Sequence, residues 1–398
     1  MTSSGYFPTQ RNEDMIIMAH TKWVCGWSTP SNTQVQHICE YFKDMTFRYQ
    51  IFSTIDASAL RIHLTNLHGH EPVTINAASA AICTSGMAVD PATLTAITFG
   101  GSASVTLQPG EECISDPADL AVTAGQTVSI STYFEGLTEY WTGHTNAGPY
   151  LKKYMTHGNY VSAETFPWET YGEPSAYVNF CAVDFLTSED VTAIVAFGDS
   201  ITAQPWPDCL AHRLFDLGIR NHTVCREGIG GNRVLRDYVH RIKKHWGVRG
   251  IKRFAHDIDR AGSDRVFILH GINDIIHPGV NNPLCPMSEL PTAEELIEGY
   301  KTYIRIAREQ GKKVYMATLL PCPRCMNDDG IREEIRCAAN AWIRSTDLID
   351  GVIDFEAAVW NPDDHKQMYP EYDSGDHLHP SFAGAKQMAD SIPIDYLK

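Results

Sequence analysis

A chain of 398 residues can hold two or three ordinary domains, and 43% hydrophobic with 20% charged residues is the make-up of a globular protein. The formal net charge of −16 argues against a nucleic-acid partner, because phosphate binding needs clustered Lys and Arg, and against adsorption to anionic membranes. No stretch approaches the ~18 consecutive apolar residues of a membrane helix. The start, Met1 to Gly5, lacks the basic patch and apolar run of a secretory signal. Eleven scattered cysteines suit unpaired thiols better than a disulfide framework. A cytoplasmic location is expected on both counts.

Residues 1–20 read as an extension, and 21–187 as an all-β domain. Arg48 to Ser53 and Ala59 to Leu64 alternate in the period-2 manner of half-buried strands. Further strands are expected at Val73–Ile75, Ala96–Phe99, Ala103–Leu107, Leu120–Val122 and Thr127–Tyr133. Turn residues separate them at intervals of about ten residues, which suggests a β-sandwich or jelly roll. The segment from Thr132 to Tyr177 is dense in aromatic residues, including Tyr133, Tyr140, Trp141, Tyr150, Phe166, Trp168 and Tyr177. Packing between domains is the expected use, with a sugar-stacking wall as the alternative.

From 188 to 398 the grammar becomes βαβα. Helices are expected at Cys209–Leu217, Val234–His245, Ala293–Gln310 and Ile331–Ile343. Strands are expected at Ile194–Phe197, Thr223–Cys225, Val266–His270, Val314–Thr318 and Val352–Phe355. That alternation implies a parallel sheet covered by helices on both faces, with ligands at the carboxyl ends of its strands. Gly198-Asp199-Ser200, Gly230-Gly231-Asn232 and Gly271-Ile272-Asn273-Asp274 each follow an expected strand. Asp376-His377-Leu378-His379-Pro380 stands near the end of the chain. Cys322-Pro323-Arg324-Cys325 is a lone CxxC without a second pair of ligands. No cofactor and no metal are expected.

These four blocks, in this order, resemble those of the SGNH hydrolases, the GDSL esterase/lipase family, across roughly residues 190 to 398. The all-β half is similar to the N-terminal jelly-roll domain of some members. The resemblance implies a three-layer α/β, flavodoxin-like hydrolase domain and a serine esterase mechanism. Ser200 would be the nucleophile, His379 the general base and Asp376 the carboxylate that orients it. The backbone N–H groups of Ser200 and Gly231 and the side-chain amide of Asn273 would form the oxyanion hole. Gly228 and Gly230 are alternative bearers of the glycine role, and Asp373 with His377 is the rival acid–base pair. Asp199 and Asp274 are expected to satisfy loop N–H groups, Arg233 to pair with a carboxylate, and His270 and His277 to be satisfied polar residues.

The expected substrate is a small-molecule or oligosaccharide ester carrying a short acyl group, acetyl above all. A lysophospholipase-type esterase for longer chains is the alternative within enzymes. A catalytically inert glycan-binding protein is the alternative from another class. The sequence leaves open the substrate-binding residues, hydrolysis against acyl transfer, and whether the protein is an oligomer.

Overall fold

In the computed structural model, residues 21–33, 41–145, 148–280, 285–323 and 330–398 are described, without the side chains of 241–243. The expected extension at 1–20 and Cys325 lie outside the described residues. Among the described residues no helix is long and apolar enough to cross a membrane.

The N-terminal half is a β-sandwich. One antiparallel sheet runs in the order Lys22–Ser28, Phe180–Thr187, Ala59–Thr65 and Glu112–Ile114. The other runs Lys153–His157, Met45–Phe52, Thr127–Phe134, Ala77–Ser85 and Ala88–Val89, with Thr95–Ile97 beside Ala77–Ser85. Register is continuous from Thr127 opposite Phe52 to Phe134 opposite Met45. Aromatic and β-branched residues suit such pleated, half-buried surfaces. Tyr49 of one sheet stacks on Phe180 of the other at 5.1 Å between ring centroids. Leu120–Val122 forms no strand, and Val122 makes only an isolated bridge to Ala57.

The C-terminal half is a five-stranded, wholly parallel sheet. Numbered along the chain, its strands are β1 (Thr192–Gly198), β2 (His222–Gly228), β3 (Ser263–Leu269), β4 (Lys313–Ala317) and β5 (Gly351–Ile353). Their spatial order is 2-1-3-4-5, the flavodoxin-like arrangement, whose switch point lies between β1 and β3. The covering helices are α1 (Ser200–Ala203), α2 (Trp206–Asp216), α3 (Gly250–Asp257), α4 (Ile272–Ile276), α5 (Ala293–Glu309), α6 (Ile331–Ser345), α7 (Phe355–Val359) and α8 (Phe382–Ser391). Helix α5 starts at a full capping box between Thr292 and Glu295 and buries Leu296, Tyr300, Tyr303, Ile304 and Ala307 along one stripe.

The helix expected at Val234–His245 is not formed. A 3₁₀ segment spans only Arg241–Trp246. The N–H groups of Val234 and Leu235 instead donate to the Asp274 carboxylate at 2.7 and 3.0 Å. A long-range acceptor thus takes up the groups that would open a helix. Phe355, expected to end a strand, instead opens α7 behind its Asp354 cap.

The two halves share a continuous core. Strand Lys22–Ser28 lies against β2: Cys25 N–H donates to Ala261 O (2.8 Å) and Thr223 Oγ1 donates to Cys25 O (2.6 Å). Glu227, fully buried at the end of β2, accepts from Arg260 Nε (2.8 Å) and from Ser28 of the sandwich. An uncompensated charge there is costly, because removing one partner of a buried ion pair typically destabilises by about 3–5 kcal/mol. Arg260→Met is therefore expected to lower unfolding free energy by about that amount in denaturant titration. Wild-type stability in that variant would mean that the junction does not hold the halves together.

Candidate active site

Strand register brings three of the sequence blocks to one edge. Gly198 at the end of β1 is level with Gly228 at the end of β2 and with Leu269 at the end of β3. The residues that follow those strands are Ser200, Gly231 and Asn273.

Ser200 is the first residue of α1. The Asp199 carboxylate caps Ile201 N–H at 3.0 Å, which leaves the Ser200 N–H as an orphan donor of the helix start. Ser200 Oγ is 2.7 Å from His379 Nε2, although the two residues are 179 positions apart. His379 Nδ1 is 2.7 Å from Asp376 Oδ2. The other oxygen of Asp376 accepts from His379 N–H (2.8 Å), Leu378 N–H (3.0 Å) and Ser374 Oγ (3.1 Å). Partial burial would raise the Asp376 pKa. The His379 N–H, the imidazole and the Leu378 N–H outweigh it and hold the carboxyl well below the usual range. Asp376 is therefore an anion fixed against the imidazole.

The neighbouring pair points elsewhere. His377 has φ +61°, is 62% exposed against 24% for His379, and pairs with Asp373 at 2.6 Å.

Gly231 closes a turn in which Asn232 N–H donates to Ile229 O (3.1 Å). Its φ of +75° is the left-handed region, and a Cβ there would lie 2.4 Å from the Trp246 indole, so only glycine fits. Among the described residues no acceptor meets the Gly231 N–H. Gly230 faces Ser200, since a Cβ on it would stand 3.9 Å from Ser200 Cβ. Gly228 is the last residue of β2, packed against the backbone of Thr202 and Ala203. Asn273, on α4 behind Gly271 (φ +129°), is buried and gives one amide hydrogen to Asn232 O (3.0 Å). The amide group keeps a second hydrogen beyond the one given to Asn232 O.

Beneath them lies a buried polar layer. Arg253 on α3 donates to Gly198 O (2.7 Å), Glu227 O (3.1 Å), Asn232 Oδ1 (3.0 Å) and Asp257 Oδ2 (2.5 Å). His270 lies between Tyr303 Oη (2.9 Å) and Asn232 O (3.1 Å), and burial pushes its pKa down to about 3, so it is neutral. Arg233 pairs with Glu289 at 2.6 Å and is committed to structure. His277 stacks on Trp246 at 4.7 Å and faces the Tyr238 hydroxyl with Nδ1. Tyr238, Trp246 and Arg253 were not singled out from sequence: Tyr238 fell inside the expected helix, and the other two belong to no motif.

The C-terminal domain thus combines a hydroxyl–imidazole–carboxylate chain with a glycine turn facing the hydroxyl, a combination found in serine hydrolases. Residues 196–387 match the family model described as the GDSL-like Lipase/Acylhydrolase family. The C-terminal half therefore carries a GDSL-like lipase/acylhydrolase domain, and the protein is a carboxylic-ester hydrolase. Solved structures similar to it include a GDSL-like lipase from Bacteroides thetaiotaomicron (18% identity, 52% of this chain and 87% of that one, TM-score 0.36). A lipolytic G-D-S-L family protein from Veillonella parvula is similar too (20% identity, 50% and 96%, TM-score 0.33). So is a variant of an acetyl xylan esterase from Geobacillus stearothermophilus (19% identity, 52% and 96%, TM-score 0.36). No curated protein matches the chain.

The buried carboxyls set a pH dependence of stability. Burial raises Asp199 to about 7, only partly offset by the Ile201 N–H, with Asp274 nearby adding to the rise; burial likewise raises Asp274 to about 6. Both folded values lie above the unfolded value near 3.9. Between those limits the native state holds protons that the unfolded chain has released. The stabilisation is complete below about pH 4 and is lost as pH rises to about 7. Asp376 acts in the opposite sense, and only as pH falls below about 4. Denaturant titrations should show stability falling from pH 4 to 7, and Asp199→Asn should flatten that slope; an unchanged slope would place the titrating group elsewhere.

Proposed function

We propose that Ser200 is the nucleophile of this esterase, His379 its general base and Asp376 the residue that orients the base. We further propose that the N–H groups of Ser200 and Gly231 and the Asn273 amide bind the oxyanion. The observation that carries this reading is the unbroken hydrogen-bonded chain from Ser200 Oγ through His379 to Asp376. Ser200 Oγ attacks the ester carbonyl carbon while its proton passes to His379 Nε2. Asp376 stabilises the resulting imidazolium without taking the proton. The carbonyl oxygen becomes an alkoxide among the three donors, each worth about 2.7–4 kcal/mol in a preorganised site. Collapse expels the alcohol, protonated by His379, and leaves acyl-Ser200. Water, deprotonated by the same imidazole, attacks the acyl carbon and releases the acid.

The substrate we infer is a short-chain, chiefly acetyl, ester of a carbohydrate. One support is the Trp246 indole lying directly over Gly231, which walls the donor side of the site. A second is a pair of exposed rings beside the His379 loop. Tyr150 of the sandwich is 39% exposed and Phe382 45%, with centroids 5.8 Å apart. Tyr150 also stacks on His212 of α2 at 4.0 Å, which anchors this ring of the N-terminal half on the hydrolase domain. Exposed aromatic faces suit the apolar faces of sugar rings.

Nitrophenyl esters from acetyl to octanoyl test the acyl preference: kcat/KM should fall with chain length, and a rise towards octanoyl would replace the acetyl reading with the lysophospholipase-type one. Ser200→Ala should lose about six orders of magnitude in kcat. Asp376→Asn should be far more damaging than Asp373→Asn, and the reverse order would move the orienting role to the other pair.

A further inference from the structure

Gly230 and Gly231 are consecutive glycines, and chain without side chains has the greatest conformational freedom. An oxyanion donor, by contrast, must be held within about 0.5 Å of its working position. The constraint on this segment comes from outside it. Tyr238 Oη donates to Gly231 O at 2.9 Å. The same oxygen is in short hydrogen-bond contact with His277 Nδ1. A carbonyl only accepts, so the hydroxyl's single proton goes to Gly231. The contact with His277 is then a hydrogen bond only if Nδ1–H donates to Oη. The direction is His277 to Tyr238 to Gly231.

His277 also caps the C-terminal end of α4, where its N–H donates to Asn273 O (3.3 Å). The relay therefore joins the helix that carries Asn273 to the loop that carries Gly231. A second link, Asn273 Nδ2 to Asn232 O, runs beside it. The phenol ring is itself fixed. The Arg233 guanidinium lies 4.1 Å from its centroid and the Trp246 ring packs against it edge-on at 4.7 Å. Burial pushes the phenol pKa well above its ordinary value, so the hydroxyl stays a proton donor throughout the range in which an imidazole base works.

We propose that Tyr238, oriented by His277, is a positioning residue that sets the distance between the Gly231 and Asn273 donors of the oxyanion hole. It rests on the assignment of Ser200, Gly231 and Asn273 given above. Tyr238 touches no reacting atom; its hydroxyl acts through the Gly231 carbonyl. Loss of an entire donor costs about 10²–10³ in kcat, so loosening one donor should cost about tenfold.

The test is Tyr238→Phe, which keeps the ring and removes only the hydroxyl. With p-nitrophenyl acetate, kcat should fall about tenfold with KM within twofold of wild type. Inhibition by phenylboronic acid, which forms a tetrahedral anionic adduct on a nucleophilic serine, should weaken by a similar factor. His277→Leu should reproduce both effects. His277→Asn, whose amide N–H stands where Nδ1–H stood, should restore most of the rate lost in His277→Leu. Unchanged kcat and boronate affinity in Tyr238→Phe, or a loss confined to KM, would overturn the relay. Ser200→Ala run in parallel separates the two levels: retained activity there would sink the underlying assignment, whereas its loss beside an unimpaired Tyr238→Phe would sink the relay alone.

Discussion

One buried guanidinium fixes the geometry on which the site depends. Arg253 bonds the terminal carbonyl regions of β1 and β2 and the side chain of Asn232, while Asp257 supplies the balancing charge. Parallel strands end in loops with no hairpin partner to hold them, so their relative positions at the carboxyl edge need an external tie. A planar group with five donors in a fixed fork can serve three loops at once, which an ammonium cannot. The Ser200 turn and the Gly231 turn are thereby set against each other from below. Arg253, Asn232 and His270 in this buried layer are each paired, the condition under which a polar network rigidifies a fold.

The sandwich is part of this arrangement. Asn32 Nδ2 donates to His245 O at 2.6 Å, one residue before the tryptophan that covers Gly231. Asn232 Nδ2 reaches Trp246 O (2.7 Å) and Val248 O (2.9 Å) from the other side. The 3₁₀ segment at Arg241–Trp246 is thus held between the two halves of the chain. Tyr150 makes a similar reach across the junction. The aromatic segment was expected to pack between the domains, but Phe166 and Tyr177 are buried within the sandwich, against Arg48 and Tyr49, and Trp168 is 72% exposed.

The parallel sheet was legible because its strands are short apolar runs between amphipathic helices, and because each polar block followed a strand. Asp376 and His379 were legible because their spacing within one block is local. What escaped was whatever depended on partners distant in sequence. The stretch from Val234 has helical periodicity, yet its first N–H groups go to Asp274, 40 and 39 positions away. Tyr238, Trp246 and Arg253 carry no motif; their importance lies in which carbonyls and α-carbons they meet. Gly231 was named over Gly228 from the resemblance alone; the fold adds the physical reason that Gly228 is spent on packing against α1.

The proposed acid–base pair lies within four consecutive residues of one surface segment, where Asp376 binds both the ring and the main-chain N–H of His379. Displacing that segment would carry imidazole and carboxylate away together, with tautomer and charge state preserved. The one separation that would change is the 2.7 Å gap to Ser200. Because acid and base sit in one unit, the rest of the fold has only to set the placement of that unit against Ser200.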